Sequence, residues 1–187
     1  MRRVLPVLLA CALPGNSAPA QPDATGDARA VLAAIVDQAK RDHPYSRNHG
    51  MCLNPTISGT ALDDVQAEDL GTHAYEWWTA APRSAAPLDP DTARAINAAA
   101  GDLGRRVGVA PADTAARRDA AGLGLPLCTS DEQLPRLTLS GPSIGGDFVF
   151  VDAGVECGGL CGDGTLYVLR RRAGGWEVAA RASTWIS

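Results

Sequence analysis

Two cysteines stand close together in the C-terminal third of the chain, in the segment CGGLC at residues 157–161. As thiolates, Cys157 and Cys161 could bind Cu(I) or Zn(II), or they could act as a redox pair. A thioredoxin-like redox motif has C-x-x-C in a βαβ context, and a closed zinc site needs a second pair of ligands, so neither pattern is complete here. We therefore expect a structural disulfide that pins a turn between two strands, with metal handling as an alternative.

The total number of cysteines agrees with this interpretation. The chain has Cys11, Cys52, Cys128, Cys157 and Cys161. Cys11 lies in an apolar N-terminal segment, which leaves four, and in an oxidising compartment four cysteines predict two disulfides with three connectivities. We favour Cys157–Cys161, which closes a short loop at little entropic cost, together with Cys52–Cys128. The second pair closes a long loop and would stabilise the fold by about 4 kcal/mol if the effect is chain entropy alone. The other two connectivities stay open.

The three histidines are the next candidates for chemistry. His43 and His49 lie in a segment rich in Pro, Gly and Asn, and His73 precedes a pair of tryptophans. They could form a metal site or supply a general base. No HExxH or HxH spacing is present, so loop histidines are favoured over a site.

An aromatic cluster lies near the middle of an aromatic-poor sequence. Tyr75, Trp77 and Trp78 could form a binding patch for a sugar or a protein partner. The competing interpretation is ordinary core packing, because tryptophan is on average highly buried.

Other patterns that could carry chemistry lack the context they need. The glycines around the CGGLC segment could cradle a phosphate, but no lysine follows them and no helix is expected to begin there. The carboxylate pairs at 63–64 and 68–69 would diverge on a helix. The three arginines at 170–172 would alternate between the faces of a strand. We expect no catalytic residue, cofactor or metal from these motifs.

The N-terminus has the features of an export signal. Two arginines follow Met1, an apolar run covers residues 4–14, and the small-x-small triplet at 18–20 fits cleavage before Gln21. The apolar run is too short to span a bilayer. We expect residues 1–20 to be a signal peptide and the mature protein to be periplasmic or extracellular.

A second interpretation of the same segment concerns Cys11. The tetrapeptide LLAC at residues 8–11 resembles a bacterial lipobox, in which the cysteine becomes the lipidated first residue of the mature protein. Cys11 would then anchor the protein to the envelope. Both interpretations place the remaining chain outside the cytoplasm.

Composition limits the classes of function. The chain has 187 residues, of which 45% are hydrophobic and 20% charged, so it can bury a core of its own. Its net charge of −4 argues against a nucleic-acid partner, which would need a basic face. No apolar stretch beyond the N-terminus is long enough for a transmembrane helix.

Helical periodicity and caps predict two helices. Apolar residues recur at helical spacing over Asp27–Asp42. A second helix is expected from Pro90 to about Arg106, with Asp89 as its N-cap. We expect residues 43–60 to be irregular, and 61–80 could be a helix or a strand.

The last third of the chain has the pattern of a sheet. A β-meander is expected over about 137–187, ending in a hairpin with a three-residue loop at 173–175. Trp176, Val178 and Ala180 are expected to share one face of the last strand. The predicted fold class is a single α+β domain over 21–187, with N-terminal helices packed on one side of an antiparallel meander.

Residues 148–187 also contain the patterns CGxLCGxG, a strand, a glycine-turned GxW hairpin and a terminal WxS. In this segment the chain resembles a group of exported bacterial proteins of unknown function. The terminal hairpin is also similar to the closing strands of cystatin-like and NTF2-like α+β folds. The resemblance implies neither an activity nor catalytic residues.

Taken together, these patterns favour an exported, non-enzymatic binding module whose partner is a protein or a small ligand of the cell envelope. The alternative is a hydrolase acting on envelope material through a histidine of the 43–73 region. The third hypothesis is metal handling through Cys157 and Cys161.

Overall fold

The computed structural model describes residues 24–43, 50–60, 77–79, 86–107, 118–130, 133–158 and 161–186. Their helices and strands follow one another as α1 (Ala24–Asp42), β1 (Cys52–Leu53), β2 (Thr56–Thr60), α2 (Pro90–Val107), β3 (Arg118–Asp119), β4 (Arg136–Gly141), β5 (Ser143–Gly145), β6 (Phe148–Glu156), β7 (Gly162–Arg172) and β8 (Gly175–Ile186). The predicted α+β class is confirmed. None of the helices in this part of the chain is long and apolar enough to cross a membrane.

The strands form one mostly antiparallel sheet in the order β3-β2-β4-β6-β7-β8. The strands β4, β6, β7 and β8 make the expected C-terminal meander, with each neighbouring pair antiparallel. After β4 ends at Gly141, β5 continues along the same edge of β6, and Pro142 separates the two because it has no N–H for a ladder.

The two helices lie on opposite faces of this sheet, so the expectation that both pack on one side is wrong. Alternate residues of a strand point to opposite faces, and β6 shows this directly. Val149 and Val151 join the cluster that contains α1, whereas Phe148 and Phe150 join the cluster that contains α2. The helix residues buried in these clusters are Val31, Leu32, Ile35, Val36 and Ala39 of α1, and Ile96, Ala100 and Leu103 of α2. We call the sheet surface under α1 face A and the surface under α2 face B.

The last strand does not alternate regularly, contrary to the expectation for its first half. Val178 is paired with Leu169 and packs on face A, while Ala180 is paired with Val168 and packs on face B. The intervening Ala179 is the extra residue of a β-bulge. A second register shift lies between the partners of Gly164 and Thr165.

Residues 43–60 were expected to be irregular, yet they contain β1 and β2. Both strands run parallel to β4 along its outer edge, β1 beside Arg136–Leu137 and β2 beside Ser140–Gly141. Their partner lies about 80 residues downstream, so the local pattern carries little signal for them.

The predicted N-cap of α2 is confirmed, whereas the turn of the last hairpin is shorter than expected. Asp89 caps α2 by accepting a hydrogen bond from the Thr92 amide at 2.9 Å, and this bonding lowers the pKa of Asp89 below its ordinary value. In the hairpin, Arg172 pairs with Gly175, so the turn contains two residues rather than three. Gly175 has φ +129°, which favours glycine.

Candidate functional site

Both favoured disulfides are present in the structure. Cys52 and Cys128 are bonded with a Cα–Cα distance of 4.8 Å, and Cys157 and Cys161 with 5.2 Å. The first bond joins β1 to the segment 126–128, where Leu53 donates to the Pro126 carbonyl at 2.8 Å and accepts from the Cys128 amide at 2.9 Å. This disulfide therefore fastens a strand that has only two residues.

The second disulfide closes the connection between β6 and β7. The Cys157 amide donates to the Cys161 carbonyl at 3.0 Å, and Gly158 takes φ +85° within the turn. With both sulfurs bonded to each other, neither cysteine is a thiolate in this structure. Within the described residues, no group of three or more His, Cys, Asp and Glu side chains could hold a metal ion.

Of the three histidines, only His43 lies within the described residues. It follows the last residue of α1, and its Nδ1 lies 3.6 Å from Oδ1 of Asp163 near the start of β7. His49 and His73 lie outside the described residues, as do Cys11 and the predicted signal peptide. The structure therefore places one candidate base beside a carboxylate and leaves the other two histidines untested.

The residue before His43 is Asp42, whose carboxylate is buried. Its side chain is 4% exposed. Oδ2 accepts a hydrogen bond from the Tyr167 hydroxyl at 2.9 Å and lies 3.1 Å from Nη1 of Arg181, while Oδ1 accepts from Nε2 of Gln38 at 3.0 Å. Gln38 in turn accepts from the Arg41 guanidinium at 2.6 Å.

This Asp42 network joins the end of α1 to strands β7 and β8. A carboxylate at a helix C-terminus is disfavoured by the helix dipole, so it needs partners from elsewhere. Tyr167 and Arg181, which are cross-strand partners, supply a hydrogen bond and a positive charge. Because Tyr167 and Arg181 contact Oδ2 and Gln38 contacts Oδ1, both carboxylate oxygens have partners, and we interpret the network as a structural connection between helix and sheet.

Burial and the negative charge of Asp42 raise the pKa of Tyr167 well above 10.0. Above pH 10 the unfolded chain releases this proton while the folded protein keeps it, so stability falls as the pH rises. We expect the difference titration between the wild type and Tyr167→Phe to show no phenolate absorbance near pH 10. A normal phenolate titration of Tyr167 in the folded protein would contradict the buried hydrogen bond.

Of the predicted aromatic patch, the structure describes Trp77 and Trp78. Trp77 is 4% exposed, packs in the face B cluster and donates its indole N–H to Asn97 of α2 at 2.6 Å. Trp78 is half-buried, and its backbone exchanges hydrogen bonds with Arg181 of β8 at 2.9 and 3.0 Å. Tyr75 lies outside the described residues. Trp77 is therefore a core residue, and Trp78 sits where the chain extends the edge of the sheet.

A different tryptophan, Trp185, lies on face B beyond α2. Its ring rests on glycines of two neighbouring strands. A Cβ added to Gly164 on β7 would overlap the pyrrole edge of the indole, and one added to Gly154 on β6 would lie 3.2 Å from Cζ2. The ring thus reaches across the sheet from β8 over β7 to β6. Trp185 is nevertheless 39% exposed.

Polar side chains surround this ring. Thr184 donates to the Asp152 carboxylate at 3.3 Å, and Thr138 donates to the Gly154 carbonyl at 3.2 Å. We call Trp185 with these three side chains the Trp185 platform. It combines a partly exposed aromatic ring, a carboxylate and two hydroxyls.

The sequence patterns contain the residues of this platform but do not indicate that these residues meet. Gly164 ends the CGxLCGxG pattern and Trp185 begins the terminal WxS pattern. Their contact depends on the register of β7 with β8, in which Gly164 is the partner of Trp185. The glycine of the first pattern and the tryptophan of the second therefore contact each other. Regular alternation along β8 does not predict this pairing, because the register shifts next to it.

We expect Gly164→Ala to displace the Trp185 ring and to lower the free energy of unfolding by about 2 kcal/mol, because the added methyl has no space beneath the indole. Denaturant titration and near-ultraviolet circular dichroism would measure the two effects. The matched control is Gly174→Ala in the exposed hairpin turn, where an added Cβ meets nothing within 4 Å. Equal stability of the two variants would contradict the packing described for Trp185.

Comparisons of the chain with protein-family models, with curated proteins and with solved structures give no match.

Proposed function

We propose that this chain is an exported, non-enzymatic binding module whose ligand contacts the Trp185 platform. The observation that carries the proposal is the position of Trp185, which keeps 39% of its surface exposed although its ring packs against two glycines. Large aromatic side chains with an exposed face dominate the binding energy of many interfaces. A ring that is already immobilised loses little conformational entropy when a ligand covers it.

The arrangement of the buried polar groups supports binding rather than catalysis. Asp42 and Tyr167 are two buried side chains that could be adapted to acid–base chemistry, and they are hydrogen-bonded to each other. Arg181 neutralises the same carboxylate. Asp42, Tyr167 and Arg181 therefore hold α1 on the sheet.

Export is supported by the two disulfides, because such bonds persist mainly in oxidising compartments. The predicted signal peptide at residues 1–20 agrees with this location. The alternative is that Cys11 is lipidated after export, which would leave the same domain tethered to the envelope.

The test is an affinity capture from the cell envelope with three forms of the mature protein. We expect the wild type and Ile186→Ala to retain the same envelope component, and Trp185→Ala to lose at least nine-tenths of it. Ile186 is the control because it is 82% exposed on the same strand end, yet it is paired with Asp163 rather than with Gly164. Equal capture by all three folded proteins would remove the platform from the binding site.

The second candidate function is hydrolysis of envelope material through His43, and the 3.6 Å approach to Asp163 favours it. A histidine whose Nδ1 faces a carboxylate has the orientation of a general base. Product release from purified peptidoglycan by the wild type, abolished in His43→Gln, would support this candidate. The same low background in both proteins would leave the binding module as the proposal.

A further inference from the structure

We infer that the ligand of the Trp185 platform is a neutral saccharide, whose pyranose ring stacks on the exposed face of the indole. The inference rests on the proposed binding function and specifies its ligand class. The ring packs over the glycines of β7 and β6 and remains 39% exposed, so part of its planar apolar surface is accessible to a ligand. The C–H groups along one face of a pyranose provide a matching surface, while the ring hydroxyls extend from its edge.

The polar groups beside the indole suit those hydroxyls. A carboxylate has about four acceptor positions, so Asp152 can accept from a sugar hydroxyl in addition to Thr184. The hydroxyl groups of Thr184 and Thr138 donate their single protons to Asp152 and to the Gly154 carbonyl, and each oxygen can still accept from a sugar hydroxyl. Convergence of a few such groups around an apolar surface is typical of small-molecule sites.

Charges of both signs lie further along the same face. Arg136 on β4 and Glu156 on β6 are exposed cross-strand partners. By strand alternation, Arg136 shares its face with Thr138, and Glu156 shares its face with Asp152 and Gly154. A ligand of one sign would therefore be attracted by one of these side chains and repelled by another, whereas a neutral ligand with donors and acceptors can bond to both.

Two other ligand classes fit this surface less well. Single-stranded nucleic acid also stacks on aromatic rings, but it needs a positively charged groove, and the chain has a net charge of −4. A purely apolar partner surface would cover Asp152 and the two threonines without replacing their bonds to water, which carries a desolvation cost.

The experiment uses the mature protein with three defined probes: chitohexaose, cellohexaose and maltohexaose. Ligand titrations are followed by the indole N–H signals in two-dimensional NMR, with the Trp185 signal assigned from its loss in Trp185→Phe. We expect at least one probe to shift the Trp185 signal, with a Kd of about 1 mM, as suits a single stacking contact. Trp185→Ala is expected to weaken that affinity at least tenfold and Asp152→Asn about threefold, whereas Ile186→Ala leaves it unchanged.

A second variant covers the case in which Trp185→Ala does not fold. Gly164→Ala keeps the tryptophan but displaces its ring, and it is expected to weaken the same probe at least tenfold. Binding that survives this displacement, or no shift of the Trp185 signal with any probe, would overturn the saccharide assignment. If the envelope capture still depends on Trp185 in that case, the binding module stands and its ligand is a protein. If the capture shows no such dependence either, both proposals fail.

Discussion

Replacing both Cys52 and Cys128 with alanine is expected to lower the free energy of unfolding by about 4 kcal/mol, because the bond closes a loop with a sequence separation of 76 residues. The bond also holds β1 against the segment 126–128, so the two-residue strand would lose its tether to that segment. Denaturant titration of the oxidised wild type and of the double variant measures the difference.

The matched control is the double variant Cys157→Ala with Cys161→Ala. That bond spans four residues, so the same chain-entropy argument gives about 2 kcal/mol. The long β6–β7 ladder, with its nine cross-strand partners, already brings the ends of this loop together. A larger loss from the short loop than from the long one would show that the unfolded-state argument does not hold for this chain.

Asp42→Ala is expected to cost about 3 kcal/mol, because it leaves Arg181 and the Tyr167 hydroxyl without their common partner. The Arg181 side chain is 21% exposed, so water can solvate part of its charge, and the loss lies at the lower end for a buried pair. Denaturant titration near neutral pH measures this change.

Asp37→Ala is the control for the same substitution on the same helix. Asp37 is 64% exposed and pairs with Lys40 at 3.6 Å, so its removal is expected to change stability by less than about 0.5 kcal/mol. If Asp42→Ala were as mild as Asp37→Ala, the Asp42 network would not be the connection between α1 and the sheet.

The elements that sequence patterns predicted well are those whose signals are local. The apolar spacing of α1, the cap at Asp89 and the glycine turn before Trp176 each depend on residues within a few positions of one another. The disulfide pairing was also predictable, since four cysteines leave few choices. The strands β1 and β2, which run parallel to β4, were missed because their partner is distant in sequence.

Only part of the candidate site could be inferred before the structure. The C-terminal glycine and tryptophan patterns were visible, but the segment from Val178 to Ala182 is rich in alanine, which gives little contrast between the faces of a strand. The bulge at Ala179 therefore left no signal in the hydrophobic pattern. The cluster of Trp77 and Trp78 was the stronger pattern in sequence, yet Asn97 and α2 draw Trp77 into the core.

The two irregularities of β8 make the number of residues in this strand as important as their types. The bulge at Ala179 brings Arg181 opposite Tyr167, where it meets Asp42, and the second shift brings Trp185 opposite Gly164. Inserting or deleting one residue between these irregularities would exchange the faces reached by everything beyond it. The segment from Val178 to Trp185 should therefore tolerate many substitutions but few changes of length. In related sequences that keep Gly154 and Gly164, insertions and deletions should lie outside this segment.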